Sequence, residues 1–119
     1  MIRLRFEGLP PSPNATTGKH WAELYKIKKE WQDRVGWEAK AAALHYRLKP
    51  FVIATVHFHI STGDKRRHDP DNLAWSVTKV ALDGLKGILL EDDSIDNITL
   101  TYTFDRAKPR GFVIEVDGA

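Results

Sequence analysis

Two hydrophobic periodicities alternate along this chain, and their order leaves few folds open to it. Apolar residues recur at every second position in four short segments, as in strands with a buried face. They recur at helical spacing in two longer segments, the second of which opens with Asp69 and Pro70, a typical N-cap and first helical residue. The strand segments are residues 2–6, 51–60, 98–104 and 112–116, and the helical segments are residues 17–44 and 69–85. The order β-α-β-α-β-β predicts an α+β fold, a two-layer sandwich with a mixed sheet and both helices packed on one face.

The last two predicted strands are separated by a polar segment that contains a proline and a glycine, residues 105–111. Such a segment between two alternating stretches is typical of a β-hairpin. We therefore expect a hairpin at the end of the sheet.

Length and composition limit the classes of function that are open to this chain. The 119 residues suit one hydrophobic core, so residues 1–119 are predicted to form a single domain. The absence of cysteine excludes a thiolate nucleophile, and a metal ion would need oxygen or imidazole ligands. No apolar run reaches the roughly 20 residues that cross a bilayer, and the first residues lack the apolar stretch of a signal peptide, so we expect a cytoplasmic protein without a membrane partner. With a net charge of +2, a polyanion would have to be bound by local basic patches.

Asp69 and Asp71 stand in the first turn of the second predicted helix, directly after a basic run. Carboxylates at this place can cap free backbone N–H groups and oppose the helix dipole, with no further function. Alternatively, two carboxylates two positions apart repel each other unless a cation lies between them, and Mg²⁺ prefers a few carboxylates with water. The acidic turn after the helix, Glu91-Asp92-Asp93, would supply a third carboxylate if the fold brings it back over the start of that helix.

The acidic motif belongs to a longer pattern of basic, acidic and amide residues. The pattern comprises Lys65-Arg66-Arg67-His68-Asp69-Pro70-Asp71-Asn72-Leu73, Lys79, Asp83-Gly84-Leu85 and Asp92-Asp93-Ser94, and a proline-rich opening, Leu9-Pro10-Pro11-Ser12-Pro13-Asn14, precedes it. It resembles the RusA-type Holliday-junction resolvases over nearly the whole chain. The resemblance implies a homodimeric, Mg²⁺-dependent endonuclease of prokaryotes or their phages, in which Mn²⁺ can substitute, and which cuts four-way DNA junctions by paired nicks.

The resemblance also implies roles for individual residues. Asp69, Asp71 and Asp93 would bind the metal ion. Asn72 would lie beside them, and Lys79 would be the catalytic lysine. Basic residues beside the motif and in the last turn are expected to contact DNA phosphates, because carboxylates alone repel DNA. The expected DNA contacts are Lys65, Arg66, Arg67, His68, Asn72, Arg106, Lys108 and Arg110.

Two positions depart from the family pattern. His68 stands where the family usually has arginine, which makes a phosphate contact there weaker or dependent on pH. Trp75 occupies the usual place of the catalytic lysine, and Lys79 comes four residues later, about 6 Å further along a helix.

The position of Lys79 therefore depends on where the second helix begins. In a helix that includes residues 69–76, Lys79 is too far from the carboxylates and pairs with Asp83. We expect instead that residues 69–76 form a loop or a short turn and that Ser76 caps a helix starting near Val77, which would return Lys79 to the metal site.

Two other functions remain open. His57 and His59 point to the same side of a strand and, together with His68, would suit a zinc hydrolase. Alternatively, a basic face of the first helix would bind branched or single-stranded DNA without cutting it. That face carries Lys19, Lys26, Lys29, Lys40 and Trp37. The tryptophans Trp37 and Trp75 would otherwise pack in the core or against a second copy.

Overall fold

The structure is a computed structural model that describes residues 1–11, 21–66 and 68–118. In chain order its elements are β1 (Ile2–Glu7), α1 (Trp21–Tyr46), β2 (Ala54–Ser61), α2 (Pro70–Leu85), β3 (Ile98–Asp105) and β4 (Gly111–Gly118). The α+β arrangement with a mixed sheet and the predicted order of elements is confirmed. The end of the proline-rich opening (residues 12–14), the predicted start of the first helix with Lys19 (residues 17–20) and Arg67 lie outside the described residues.

The four-stranded sheet has the order β1-β4-β2-β3. Strands β2 and β3 are parallel and joined by α2, whereas β4 is inserted antiparallel between β1 and β2. Because β3 and β4 lie on opposite sides of β2, the prediction that they form a terminal hairpin is wrong. Residues 106–110 instead cross the end of β2, where Gly63 lies against the backbone of Arg110.

The helix-facing side of the sheet carries the core, because each strand alternates apolar and polar residues. The pairing register aligns Leu4, Ile114 and Phe58 across three strands, and all three are buried. Burying a side chain of this size contributes about 1.5–3 kcal/mol. The helices cover this face with buried residues at helical spacing, namely Val35, Ala39, Val77, Val80, Ala81 and Leu85. The opposite face is polar and open to solvent, and β2 presents Thr55 and His57 there.

Helix α2 begins at the Asp69-Pro70 pair and continues to Leu85 without a break. Asp69 is the N-cap residue and Pro70 is the first helical residue. Ser76 is not a cap, because its hydroxyl donates a hydrogen bond of 3.1 Å to the carbonyl of Leu73 one turn earlier in the same helix. The expectation of a loop or separate turn over residues 69–76 is therefore wrong.

The two helices approach most closely around Gly84. A Cβ atom at this position would lie 2.8 Å from the carbonyl oxygen of Gln32 and from the side chain of Val35. A Cβ atom at Gly36, on the facing side of α1, would instead meet the Gly84 carbonyl at 3.6 Å, an ordinary contact. The absence of a side chain at Gly84 is thus what lets α2 pack against α1.

Two tryptophans lie outside the core. The exposed fraction is 71% for Trp37 and 57% for Trp75, so neither packs in the interior of this chain. On α1, Lys40 places its ammonium 5.4 Å from the centre of the Trp37 ring. None of the described helices combines the length and the apolar character that a bilayer span requires.

Candidate functional site

The start of α2 presents two carboxylates to solvent. Asp69, the N-cap, has an extended backbone and makes no side-chain capping hydrogen bond, and Asp71 is exposed in the first helical turn. Within the described part of the chain, neither carboxylate has a hydrogen bond or a salt bridge. Side-chain capping therefore does not explain why an aspartate stands at position 69. Asn72, the next residue along, is half-buried.

The loop before α2 is organised by Asp64. Its carboxylate lies 2.7 Å from Nε2 of His68 and accepts a hydrogen bond of 3.1 Å from the backbone N–H of Arg66. The hydrogen bond from His68 lowers the pKa of Asp64 below its usual value. His68 is thus turned toward Asp64, while Lys65 and Arg66 extend into solvent.

The loop that joins β3 to β4 lies beside the loop that precedes α2. A Cβ atom at Gly63 would be 2.7 Å from the backbone nitrogen of Arg110, and the positive φ of Gly63, 69°, also favours glycine there. The carbonyl of Arg110 accepts a hydrogen bond of 3.1 Å from the N–H of Gly8. The end of β1 and both basic loops therefore meet at one end of the sheet, the end at which α2 begins.

Positive charge is concentrated at this end. The exposed basic residues of the two loops are Lys65, Arg66, Arg106, Lys108 and Arg110. A groove of about 430 Å³ continues from the second loop along the open face, and Arg3 and Arg5 of β1 line it together with Lys108 and Arg110. We call this surface the basic groove. The two arginines of β1 were not among the predicted DNA contacts, although their alternation with Ile2 and Leu4 already placed them on the polar face of that strand.

The third predicted carboxylate pairs with the lysine at the other end of α2. Asp93 lies 3.5 Å from Nζ of Lys86, which also contacts Asp92 at 3.7 Å. Asp93 also lines a cleft with Trp75 and Lys79 of α2. Among the described residues, Asp69, Asp71 and Asp93 do not form a group of donor atoms within 4.8 Å of one another.

Lys79 lies between these two ends, on a continuous helix. Its Nζ is 3.7 Å from Asp83, one turn later. Lys79 and Trp75 line two clefts, an apolar cleft of about 220 Å³ against α1 and a second one of about 280 Å³ against β3. Pro10 and Pro11, from the proline-rich opening, form one wall of the apolar cleft.

The open face of the sheet carries a second cluster. His59 contacts the carboxylate of Glu115 through Nε2, and His57 lies beside it with the two ring centres 4.3 Å apart. The hydrogen bond from His59 lowers the pKa of Glu115 below its usual value. The prediction of His68 as the third zinc ligand is therefore wrong. His68 contacts Asp64, and it is Glu115 that stands beside the two strand histidines.

No model of a known protein family matches this chain, and no curated protein is similar to it.

Proposed function

We propose that this protein is a Mg²⁺-dependent endodeoxyribonuclease that cuts four-way DNA junctions by paired nicks, as its resemblance to RusA-type resolvases implies. One observation carries the proposal. Asp69 and Asp71, two carboxylates without a partner in the described part of the chain, project at the end of the sheet where both basic loops converge. The proposed setting is the cytoplasm of a prokaryotic or phage-infected cell.

The acidic pair is suited to a hard cation. Mg²⁺ is usually bound by one or two carboxylates, with water and substrate phosphate as the remaining ligands. Asp69 and Asp71 are exposed, so water and phosphate have access to them. The bound ion would neutralise charge on the phosphodiester and lower the pKa of a water molecule. Asp69 and Asp71 would position the ion at the start of α2, where the helix dipole favours the negative charge of a phosphate.

The basic groove supports DNA as the substrate. Carboxylates repel phosphates, so a nuclease needs compensating positive charge beside its acidic residues. Lys65 and Arg66 lie on the loop that leads into the acidic pair, and Arg106 lies on the second basic loop. Arg3 and Arg5 extend the positive surface along the open face. Contacts of this kind fix the position of the DNA backbone without reading its sequence. They suit an enzyme that recognises the shape of a junction.

The proposal includes a homodimer. A four-way junction has approximate two-fold symmetry, and its resolution requires nicks in two strands of like polarity. Two copies related by a two-fold axis would supply two equivalent acidic pairs. Light scattering of the protein alone, in the buffer of the cleavage assay, should therefore give twice the mass of one chain, and a monomer under conditions of full activity would contradict this part of the proposal.

Asp93 would bind the metal ion only after a local rearrangement. In the structure it pairs with Lys86, so binding the same ion as Asp71 requires the turn at residues 91–97 to release Lys86. Lys79 is left out of the proposed catalytic group, because the continuous helix keeps it with Asp83.

A second candidate is a module that binds branched DNA without cutting it. The pairing of Asp93 with Lys86 favours this alternative, since two carboxylates are fewer than the resemblance implies. The exposed Lys40 and Trp37 on α1 would then add a stacking and phosphate-binding surface.

A cleavage assay separates the two candidates. A labelled four-way junction and a duplex of the same sequence are incubated with the protein in Mg²⁺ or Mn²⁺. We expect paired nicks in the junction alone. Asp71→Asn should abolish cleavage while junction affinity is unchanged or slightly raised, because the substitution removes a metal ligand and also some repulsion of phosphate. Asp69→Asn should behave in the same way.

The matched control is Asp33→Asn, which removes an exposed carboxylate on α1 that pairs with Lys29. This variant should cleave normally. Activity of Asp71→Asn within a few-fold of the parent would refute the assignment of the site. Tight junction binding by the parent without any cleavage product would favour the binding module.

A further inference from the structure

Two histidines and a glutamate meet on the face of the sheet opposite the helices. The pairing register places Glu115 of β4 directly opposite His57 of β2, and His59 follows two positions later, so all three side chains share one face. One donor atom of each side chain lies within 4.8 Å of the donors of the other two. Within the described ranges, no other three histidine or acidic side chains are grouped so closely.

Threonines of β3 orient both imidazole rings. The Nδ1 atom of His57 contacts the hydroxyl of Thr101, and Nδ1 of His59 lies 2.5 Å from the hydroxyl of Thr103. Histidines that bind metals usually hold their second ring nitrogen in a hydrogen bond of this kind, which fixes the orientation of the ring. The arrangement therefore assigns the Nε2 atoms to the ligand.

The Nε2 atom of His59 and the carboxylate of Glu115 need a proton or a metal ion between them. A His59 ring that donates from Nδ1 to Thr103 turns the lone pair of Nε2 toward the carboxylate of Glu115, and two acceptors repel each other. A proton on Nε2 satisfies this pair alone. A metal ion in the same place would satisfy the pair and also engage His57, whose Nε2 contacts, among the described residues, only the Thr103 hydroxyl, at 3.3 Å.

We propose that His57, His59 and Glu115 form a zinc site with its fourth coordination position open to solvent. Two imidazoles and a carboxylate are typical ligands of Zn²⁺, which is usually four-coordinate, so three protein ligands leave one position for water. The side chains are half-buried, so one side of the ion would face water. Arg3, whose Nε lies 3.8 Å from the second carboxylate oxygen of Glu115, reduces the affinity for a cation but leaves the oxygen next to His59 free.

The site would join β2 to β4 across the middle of the sheet. It shares no residue with the acidic pair at the start of α2, and it does not depend on the proposed nuclease activity. A bound ion would stabilise the folded chain, because an unfolded chain does not hold the three ligands together.

Zinc binding is measured on the full chain without an affinity tag, by titration against a chromophoric chelator. We expect one equivalent of Zn²⁺ to bind, and Co²⁺ to give the visible absorption of a tetrahedral site. His57→Ala and Glu115→Gln should each weaken Zn²⁺ binding by about 100-fold or more, since even loss of an outer hydrogen-bond partner costs about 10–100-fold. The control His45→Ala, at the exposed end of α1, should bind Zn²⁺ as the parent does.

Thr101→Val gives a second measurement that leaves all three ligands in place. It should weaken Zn²⁺ binding by about 10–100-fold, through loss of the hydrogen bond to His57. Circular dichroism of each variant reports whether the sheet has folded. No saturable uptake of Zn²⁺ by the parent, or equal affinity in the parent, His57→Ala and Glu115→Gln, would overturn the proposal.

Discussion

Lys79 and Asp83 form an ion pair within α2, with Nζ 3.7 Å from the carboxylate one helical turn later. Asp83 also accepts a hydrogen bond of 3.0 Å from the side-chain amide of Gln32 on α1. Because α2 is continuous, Lys79 lies about 12 Å along the helix axis from Asp71, beyond the reach of its own side chain to a shared phosphate. The structure thus pairs Lys79 with an aspartate that also bonds to α1.

Replacing Lys79 with alanine should therefore have little effect on cleavage. An exposed pair of this kind contributes only about 0.2–0.5 kcal/mol, whereas removing a cation that stabilises the transition state costs about 100-fold or more in rate. We expect the single-turnover rate of Lys79→Ala on a saturating junction to fall by less than about tenfold. Asp83→Asn, which breaks the same pair, is the control. A large loss in Lys79→Ala alone would show that the lysine reaches the reacting phosphate.

Asp93 and Lys86 allow a test of whether the turn at residues 91–97 rearranges. If Asp93 leaves Lys86 to bind the metal ion, Asp93→Asn should lose cleavage by about 100-fold or more, as expected for the loss of charge at a metal-assisted phosphoryl transfer. Lys86→Ala should stay within a few-fold of the parent, because an exposed ion pair is worth only about 0–1 kcal/mol. Asp92→Asn should be milder than Asp93→Asn.

Equal and small losses in Asp93→Asn and Lys86→Ala would mean that Asp93 serves only the ion pair seen in the structure. A larger loss in Asp92→Asn would identify Asp92 as the functional member of the acidic turn. Multiple-turnover assays in Mg²⁺, with junction affinity measured separately, distinguish these outcomes.

Each helix and strand of this fold depends mainly on residues that are close together in the sequence, and for that reason the sequence predicts where these elements lie. Alternation in β1 and the Asp69-Pro70 start of α2 depend on neighbouring residues only. The order of the strands in the sheet depends instead on pairing between residues that are distant in the sequence. Strands that follow each other usually pair, so β3 and β4 were expected to form a hairpin, whereas β4 pairs on both edges with strands that are distant in sequence.

The candidate sites divide in the same way. The position of Asp69 and Asp71 in the first turn of α2 follows from one short motif. Glu115 joins His59 from 56 positions away, through the register of β2 and β4, and no signal beside either residue indicates that pairing. Ser76 is predicted to be a helix cap because serine favours a helix start. A serine hydroxyl inside a helix can also donate to a carbonyl of the preceding turn, as Ser76 does here to Leu73.

The basic groove predicts how DNA binding depends on salt. Each phosphate contact that is removed should make the slope of log K against log salt less steep by about 0.9. We expect the double variant Lys108→Ala/Arg110→Ala to weaken junction binding and to reduce this slope by roughly two such steps. The control is Lys26→Ala/Lys40→Ala on the exposed face of α1, outside the groove. A change of slope only in the control would place the DNA on α1, as the binding module requires.

The contact between the helices predicts opposite effects of the same substitution at two glycines. Gly84→Ala brings a methyl group to 2.8 Å from both the Gln32 carbonyl and the Val35 side chain, so α1 and α2 must move apart. Overpacking of this kind costs about 1–3 kcal/mol, more than the roughly 1 kcal/mol that alanine adds to helix propensity. Gly36→Ala meets its nearest neighbour at 3.6 Å and should keep most of that gain.

Urea unfolding of the two variants measures the difference. The midpoint should fall for Gly84→Ala and rise for Gly36→Ala, with the slope of the free energy of unfolding against urea unchanged in both. Because the two positions lie on facing sides of one contact, a general effect of alanine on helices would raise both midpoints. A rise in both would therefore show that α2 does not pack against α1 as closely as the position of Gly84 requires.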